Sequence, residues 1–484
     1  MGLLAPGYAI FANILLRRLP KLVAFFHCAT REKTTFFCPF GKEFVYLRQN
    51  NQKAEQMRVL IVNTSEKTGG AAVAARRLVK ALVDNGVKAK MLVRDKETED
   101  IKVVGLPGGW RRQWNFLWER WCLFWNLRFH RKHLFEVDMA NTGYDITSLR
   151  EFKEADIIHL HWINQGMLSL KGIRKILESG KSVVWTMHDL WPATGICHYA
   201  RGCELYKSQC QNCPMLPHGG GKNDLSARVW RNKERMLKDK QIAFVACSQW
   251  LANEARQSAL LKGQTVVSIP NAIDTHLFCP TDKKKARLAS GLPESGRLIL
   301  FVSQRVTDRR KGMRHFIAAI QQLVEEHPEL KSDTSITILG GHSEELKDQL
   351  ALPVHSLGYV SESKRIAAIY NAADVFVLPS MEDNLPNTIM EAMACGLPCV
   401  GFNVGGIPEM IDHQRNGYIA QTANAADLAR GIHWVLCEDD YQALSHQAVA
   451  KVANCYSEQS VALHYTNVYE ECLSPNNHHP LPNT

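Results

Sequence analysis

At 484 residues the chain is too long for one ordinary domain and suits two of about 200 residues each. Its 45% hydrophobic and 22% charged content reads as soluble and globular, which excludes a disordered or fibrous chain. The formal charge of +10 is local: residues 1–56 hold eight Lys and Arg against three acids, residues 107–133 hold six against one, and the balanced remainder excludes a general nucleic-acid-binding surface.

Residues 1–56 contain a fourteen-residue apolar run, "LLAPGYAIFANILL", followed by Arg17, Arg18 and Lys21. It is too short to span a bilayer comfortably, and its basic residues lie on the wrong side for a signal peptide. Strand patterning begins at "MRVLIVNT", 57–64. Met57 is therefore the expected start, with 1–56 a non-native reading-frame or flexible extension and a membrane anchor as the rival reading. From Met57 onward apolar strands alternate with helical patterns, the mark of a doubly wound α/β architecture with parallel sheets. The first half offers "VLIVNT", "KAKMLV", "ADIIHLHW", "KSVVWTMHD" and "QIAFVACS". The second offers "LILFVSQ", "SITILGG", "PVHSLGYV", "DVFVLPS" and "PCVGFN", after a turn-rich, charged stretch, "SIPNAIDTHLFCPTDKKKARLASGLPESG", read as an interdomain linker. Two such domains place a cleft at the carboxyl ends of both sheets, where ligands of this architecture bind.

The first strand runs into Gly69 and Gly70, which allow close backbone approach and open a helix whose amides can face an anion. The segment "GWRRQWNFLWERWCLFWNLRFHRKH" sets Trp114, Trp118, Trp121 and Trp125 on one helical stripe beside arginines. That suits an anionic membrane interface, and packing against a neighbouring domain is the alternative. His159 and His161 in "IIHLHW" face one side of a strand and read as packing around the cleft. His188 and Asp189 end the next strand.

The fourteen cysteines lack the regular spacings of a secreted disulfide scaffold, so reduced thiols in a cytosolic protein are expected. Cys197, Cys203, Cys210 and Cys213 stand apart in "CHYARGCELYKSQCQNC". A structural zinc held by four thiolates, a reduced thiol cluster and a disulfide pair all fit that spacing.

In "SQRVTDRRKGMRHFIAAI", residues 303–320, Arg305 and Lys311 lie where a strand hands over to a helix. In "PSMEDNLPNTIMEAMACG", Pro386 suits the start of a helix carrying Glu391, with Asp383 eight residues upstream in a loop and Glu382 beside it. A carboxylate can take two vicinal hydroxyls, and two cations can meet a diphosphate whose charge grows as its bond to a sugar breaks. The chain contains no Asp-x-Asp pair to present a divalent ion, so cations must neutralise a bound diphosphate.

Together "GGA" (69–71), "IPNAID" (269–274), Arg305 with Lys311 and its glycine, "EDNLPNTIMEAMACGLPCV" (382–400) and "GGIPEMI" (405–411) resemble the retaining GT-B glycosyltransferases of family 4 over residues 57–473. The N-terminal half is most similar to members that build bacterial exopolysaccharide or capsule. The resemblance implies two Rossmann-like domains facing a cleft. These are an acceptor domain (57–275) and a domain binding a UDP- or GDP-sugar (276–440), followed by a helical segment (441–473) crossing back to the first. It implies a donor-sugar contact at Asp383, where the family usually has glutamate, with Glu382 as substitute. It further implies a ribose contact at Glu391, diphosphate contacts at Arg305 and Lys311, backbone contact at Gly70, and a histidine at 188 beside the transferred sugar. No catalytic cofactor is implied. The acceptor is expected to be a lipid-linked saccharide and the enzyme to lie at the inner face of the cytoplasmic membrane. A nucleotide-sugar epimerase of the same fold and a non-catalytic membrane scaffold are the alternatives.

Overall fold

The computed structural model describes residues 57–438 and 440–474, preceded by strands β1 (Thr34–Phe37) and β2 (Phe44–Leu47). These two pair antiparallel, with Thr34 opposite Leu47. The expected origin of residues 1–56 otherwise concerns a segment outside the described residues.

Residues 57–268 build a seven-stranded parallel sheet in the order β5-β4-β3-β6-β7-β8-β9. Its strands are β3 (Arg58–Ser65), β4 (Lys88–Asp95), β5 (Val103–Gly105), β6 (Ile157–Leu160), β7 (Ser182–Met187), β8 (Ala243–Ala246) and β9 (Thr265–Ser268). The crossovers carry α1 (Gly70–Asp84), α2 (Trp110–Asn126), α3 (Arg150–Glu154), α4 (Leu170–Glu178), α5 (Leu225–Leu237) and α6 (Gln249–Arg256). β3 is buried from Val59 to Thr64 without alternation, as a strand covered on both faces must be.

The second sheet has six parallel strands in the order β12-β11-β10-β13-β14-β15. They are β10 (Arg297–Arg305), β11 (Thr334–Gly341), β12 (Val354–Gly358), β13 (Val375–Leu378), β14 (Cys399–Phe402) and β15 (Gly417–Ala420). Helices α7 (Lys283–Ser290), α8 (Met313–Glu326), α9 (Ser363–Ala372), α10 (Asn387–Ala394), α11 (Ile407–Met410) and α12 (Ala425–His433) accompany it, followed by α13 (Tyr441–Cys455) and α14 (Glu458–Leu473).

The stretch read as a linker differs from expectation, because it contains α7. Asp282 caps that helix by accepting from the Lys285 amide, and Arg287 donates to Asp374 at 2.8 Å, so "KKKARLAS" is an anchored element. At the far end, Val461, Ala462, Tyr465, Val468 and Tyr469 of α14 join the core formed by Val59, Ile61 and Leu78 of the first sheet and α1. Tyr469 and Tyr465 then carry hydroxyls to His159 and Thr186, at 2.7 and 2.9 Å.

Candidate functional site

A cleft of about 1340 Å³ opens at the carboxyl ends of β3, β7 and β10. Gly69, Gly70 and His188 line it from one side; Arg305, Arg310, Lys311 and Asp383 line it from the other. Gly69 takes φ +94° as the N-cap of α1. Asn387, at the start of α10, donates to the Gly70 carbonyl at 3.2 Å, tying the two helix starts together.

On the second domain, β10 ends at Arg305 and a 3₁₀ turn carries Arg309, Arg310 and Lys311. Gly312 follows with φ +75°, and a Cβ there would meet the Pro379 carbonyl at 1.8 Å. Only glycine lets this turn lie against the β13–α10 loop. Lys311 Nζ thereby sits 2.5 Å from Asp383 Oδ2, which also accepts from Ser380 Oγ at 3.1 Å. The Arg310 guanidinium pairs with Asp308 at 2.8 Å and lies 5.0 Å from the Tyr199 ring centroid of the first domain. Arg305 is exposed in the cleft, and among the described residues no carboxylate pairs with it.

The loop bearing Asp383 is held from behind. Gly405 takes φ +56°, and a Cβ there would lie 1.7 Å from the Asp383 carbonyl; at Gly406 one would lie 2.0 Å from the Asn384 carbonyl. The double glycine of "GGIPEMI" is thus the bed on which Asp383 and Asn384 rest. Asn384 spans the domains: Nδ2 donates to the His188 carbonyl at 3.2 Å and Oδ1 accepts from Ser248 Oγ at 2.5 Å. Glu409 accepts from the Gln249 and Trp250 amides at the start of α6, at 2.8 and 2.6 Å, the favourable end of a helix for a carboxylate.

His188 belongs to a histidine cluster. Its Nε2 lies 2.9 Å from His161 Nδ1 and its Nδ1 lies 3.5 Å from Cys247 Sγ. His159 spans Tyr469 and Thr186, each at 2.7 Å. Burial lowers His188 to about 4, against an opposing pull from the Asp189 charge, and lowers His159 to about 3. Asp189 accepts from Trp162 Nε1 at 3.1 Å and lies 2.8 Å from His198, whose other ring nitrogen reaches Asp138 at 2.8 Å.

The structure departs from expectation at both glutamates. Glu391 is 9% exposed and lies outside the cleft lining. Arg77 donates to its Oε1 at 2.6 Å and the Tyr370 hydroxyl to its Oε2 at 3.1 Å, so both carboxylate oxygens already have protein donors. Glu382 also lies outside that lining, 4.0 Å from Arg201, and burial raises its carboxyl. His161 contacts His188 directly, beyond the packing role its strand position suggested. Arg310, Tyr199 and Asn384 were missed. Arg310 had a signal, being the residue before Lys311; Tyr199 and Asn384 had none, because only the meeting of two domains gives them partners.

Cys197, Cys203, Cys210 and Cys213 are free thiols. Cys210 Sγ accepts from the Gly195 amide at 3.3 Å, and burial, with help from the neighbouring sulfurs, pushes the Cys197 thiol up to about 12. Among the described residues the His/Cys/Asp/Glu trio with ligand atoms within 4.8 Å of one another is His327, Glu329 and His433, outside the cleft lining.

Two family models match in tandem: "Glycosyltransferase Family 4" over residues 68–277 and "Glycosyl transferases group 1" over 296–438. With the two facing parallel sheets, they define the chain as a glycosyltransferase of the GT-B fold. It is 26% identical to an uncharacterized glycosyltransferase of Methanocaldococcus jannaschii, over 69% of this chain and 89% of that one. It is 25% identical to WcaC of Escherichia coli K12, whose name provisionally assigns it to colanic acid biosynthesis, over 65% of this chain and 76% of that one. In fold it is similar to the sucrose-phosphate synthase of Thermosynechococcus elongatus, with TM-score 0.60, 18% identity and coverage of 86% and 98%. Anabaena HepE in complex with UDP and glucose gives TM-score 0.57, 16% identity and coverage of 86% and 99%.

Proposed function

We propose that the chain moves a sugar from a nucleoside-diphosphate donor to a hydroxyl of a lipid-linked saccharide in surface-polysaccharide assembly, with retention at the anomeric carbon and no catalytic metal. The observation that carries this reading is the convergence of Arg305, Arg310 and Lys311 in one cleft, opposite the glycine-led start of α1. Such a set suits a leaving diphosphate: as the bond from the anomeric carbon to phosphate breaks, charge grows where fixed cations and helix amides already point. Lys311 is pre-oriented by Asp383, and among the described residues Arg305 has no competing carboxylate, so a donor meets cations in place. In this reading Asp383, which lines the same cleft, accepts from hydroxyls of the transferred sugar.

His188 stands on the acceptor side. Its long contact with Cys247, at 3.5 Å, is the one a sugar hydroxyl would replace, while His161 holds the ring from the other nitrogen. UDP and glucose in the HepE complex support a UDP-sugar, and the name of WcaC supports the pathway. Calorimetric titration with UDP, GDP and their sugars, in the presence of a chelator, tests the donor side. A UDP- or GDP-sugar is expected to bind with chelator present, and binding that appears only after Mg2+ is added would overturn the metal-free reading.

A further inference from the structure

Helix α2 is built the wrong way round for a surface helix. Its buried face carries Asn115, Glu119 and Arg120 with Leu123. Arg120 pairs with Asp138 and donates to the Leu134 carbonyl at 2.6 Å; Glu119 accepts from the Ala140 amide at 2.7 Å; Asn115 accepts from Thr142 at 2.8 Å. This polar lock fixes the roll of the helix and turns its indoles outward. Trp114, Trp118, Trp121 and Trp125 are 55%, 43%, 52% and 63% exposed, which rules out the core-packing alternative. Trp110, Leu117, Phe129 and Phe135 are exposed beside them, so eight of the twelve exposed large apolar side chains among the described residues fall between positions 110 and 135. A clustered patch of this kind marks an interaction surface.

Charge decides the partner. Arg111, Arg128, Arg131 and Lys132 are exposed around the indoles, while the acid of the helix, Glu119, is sealed inside. A second copy of the chain would set four cations against four, so the patch does not suit self-association. Indoles ringed by arginines along an exposed helix match the headgroup layer of a negatively charged bilayer. Among the described residues no helix is long and apolar enough to cross a membrane, so α2 would lie on the surface. The same helix sends Arg112, Gln113 and Phe116 into the cleft.

We infer that α2 docks the enzyme flat on an anionic membrane and so presents the acceptor side of the cleft to lipid-linked substrate. This rests on the proposed function for the acceptor's identity, but the docking itself is tested apart from it. The full chain is sedimented with phosphatidylglycerol–phosphatidylethanolamine vesicles and with phosphatidylcholine vesicles, and indole quenching by bromine-labelled lipid chains is recorded in parallel. Wild type is expected to bind the anionic vesicles preferentially and to be quenched. The Trp118→Ser/Trp121→Ser variant should lose more than about tenfold in partition together with the quenching. Arg131→Gln/Lys132→Gln should lose about fivefold per cation at low salt. Thermal stability and nucleotide binding should be retained in both variants.

Equal binding to neutral vesicles, or unchanged partition in both variants, would overturn the inference. So would a tryptophan variant that unfolds, or a wild-type dimer that the tryptophan variant abolishes. Vesicle binding without any nucleotide binding would uphold the docking and sink the proposed function.

Discussion

Replacing Gly405 with alanine isolates the device that positions Asp383. The new Cβ would stand 1.7 Å from the Asp383 carbonyl, and real Cβ contacts do not fall under 3.0 Å, so the two backbones must part by at least the difference, 3.0 − 1.7 = 1.3 Å. The Asp383 carboxylate moves with its backbone, away from a Lys311 ammonium now 2.5 Å distant. A misplacement of about 1 Å in a reacting constellation costs on the order of 100-fold in rate. Alanine at positive φ adds about 1–2 kcal/mol of strain wherever it is placed. Gly291→Ala supplies the control, because Gly291 has φ +66° with nothing within 4 Å of a built Cβ. Both variants should carry the positive-φ strain in urea denaturation, with Gly405→Ala losing more because its Cβ also overlaps the Asp383 backbone, but only Gly405→Ala should lose about two orders of magnitude in kcat/KM for sugar transfer. Equal activity in the two variants would refute the claim that the double glycine holds Asp383 in register.

Lys311→Ala should weaken donor binding by about 1.5–3 kcal/mol, the worth of a charge-assisted contact to a diphosphate; calorimetry that shows no change removes Lys311 from the site. Acid should destabilise the fold through the histidine cluster. His188 and His159 lie at about 4 and about 3 when folded against 6.5 in the open chain, so the unfolded state binds more protons as pH falls below 6.5. Unfolding free energy should therefore decline from pH 6.5 toward pH 4, and a flat profile over that window would contradict the burial of these rings. Tyr469→Phe should cost about 1–3 kcal/mol by leaving a buried ring nitrogen of His159 without its partner; an unchanged denaturation midpoint would argue against α14 closing the first domain.

Much of the architecture was legible because buried parallel strands read as continuous apolar runs. Of the strands in the two large sheets, β5, β9 and β15 escaped; each lies at a sheet edge and is only partly buried, so it lacks the continuous apolar run of the equally short central strands. Helix α7 escaped because its lysines mimic a solvated linker, while its anchors, the pairs of Lys283 and Arg287 with Asp374, lie far along the chain. Within the site, Gly70, Arg305 and Lys311 could be picked from local spacing, since each follows the end of a strand, whereas the sugar contacts at Asp383 and His188 came from the family resemblance. Long-range partners could not. The Arg77–Glu391 ion pair joins residues 314 positions apart, and nothing near Glu391 in the sequence announces that partner. The roll of α2 was equally hidden, because the polar lock that sets it draws on Asp138, Ala140 and Thr142 beyond the helix.

The central claim, donor cleavage coupled to transfer, is tested most directly by measuring free nucleoside diphosphate released from UDP- and GDP-sugars with and without a lipid-linked saccharide acceptor. The account predicts release from one donor that depends on acceptor, is matched mole for mole by glycosylated product with the donor's anomeric configuration, and falls sharply in Lys311→Ala. Release that proceeds equally without acceptor, or a product with inverted configuration, would contradict it.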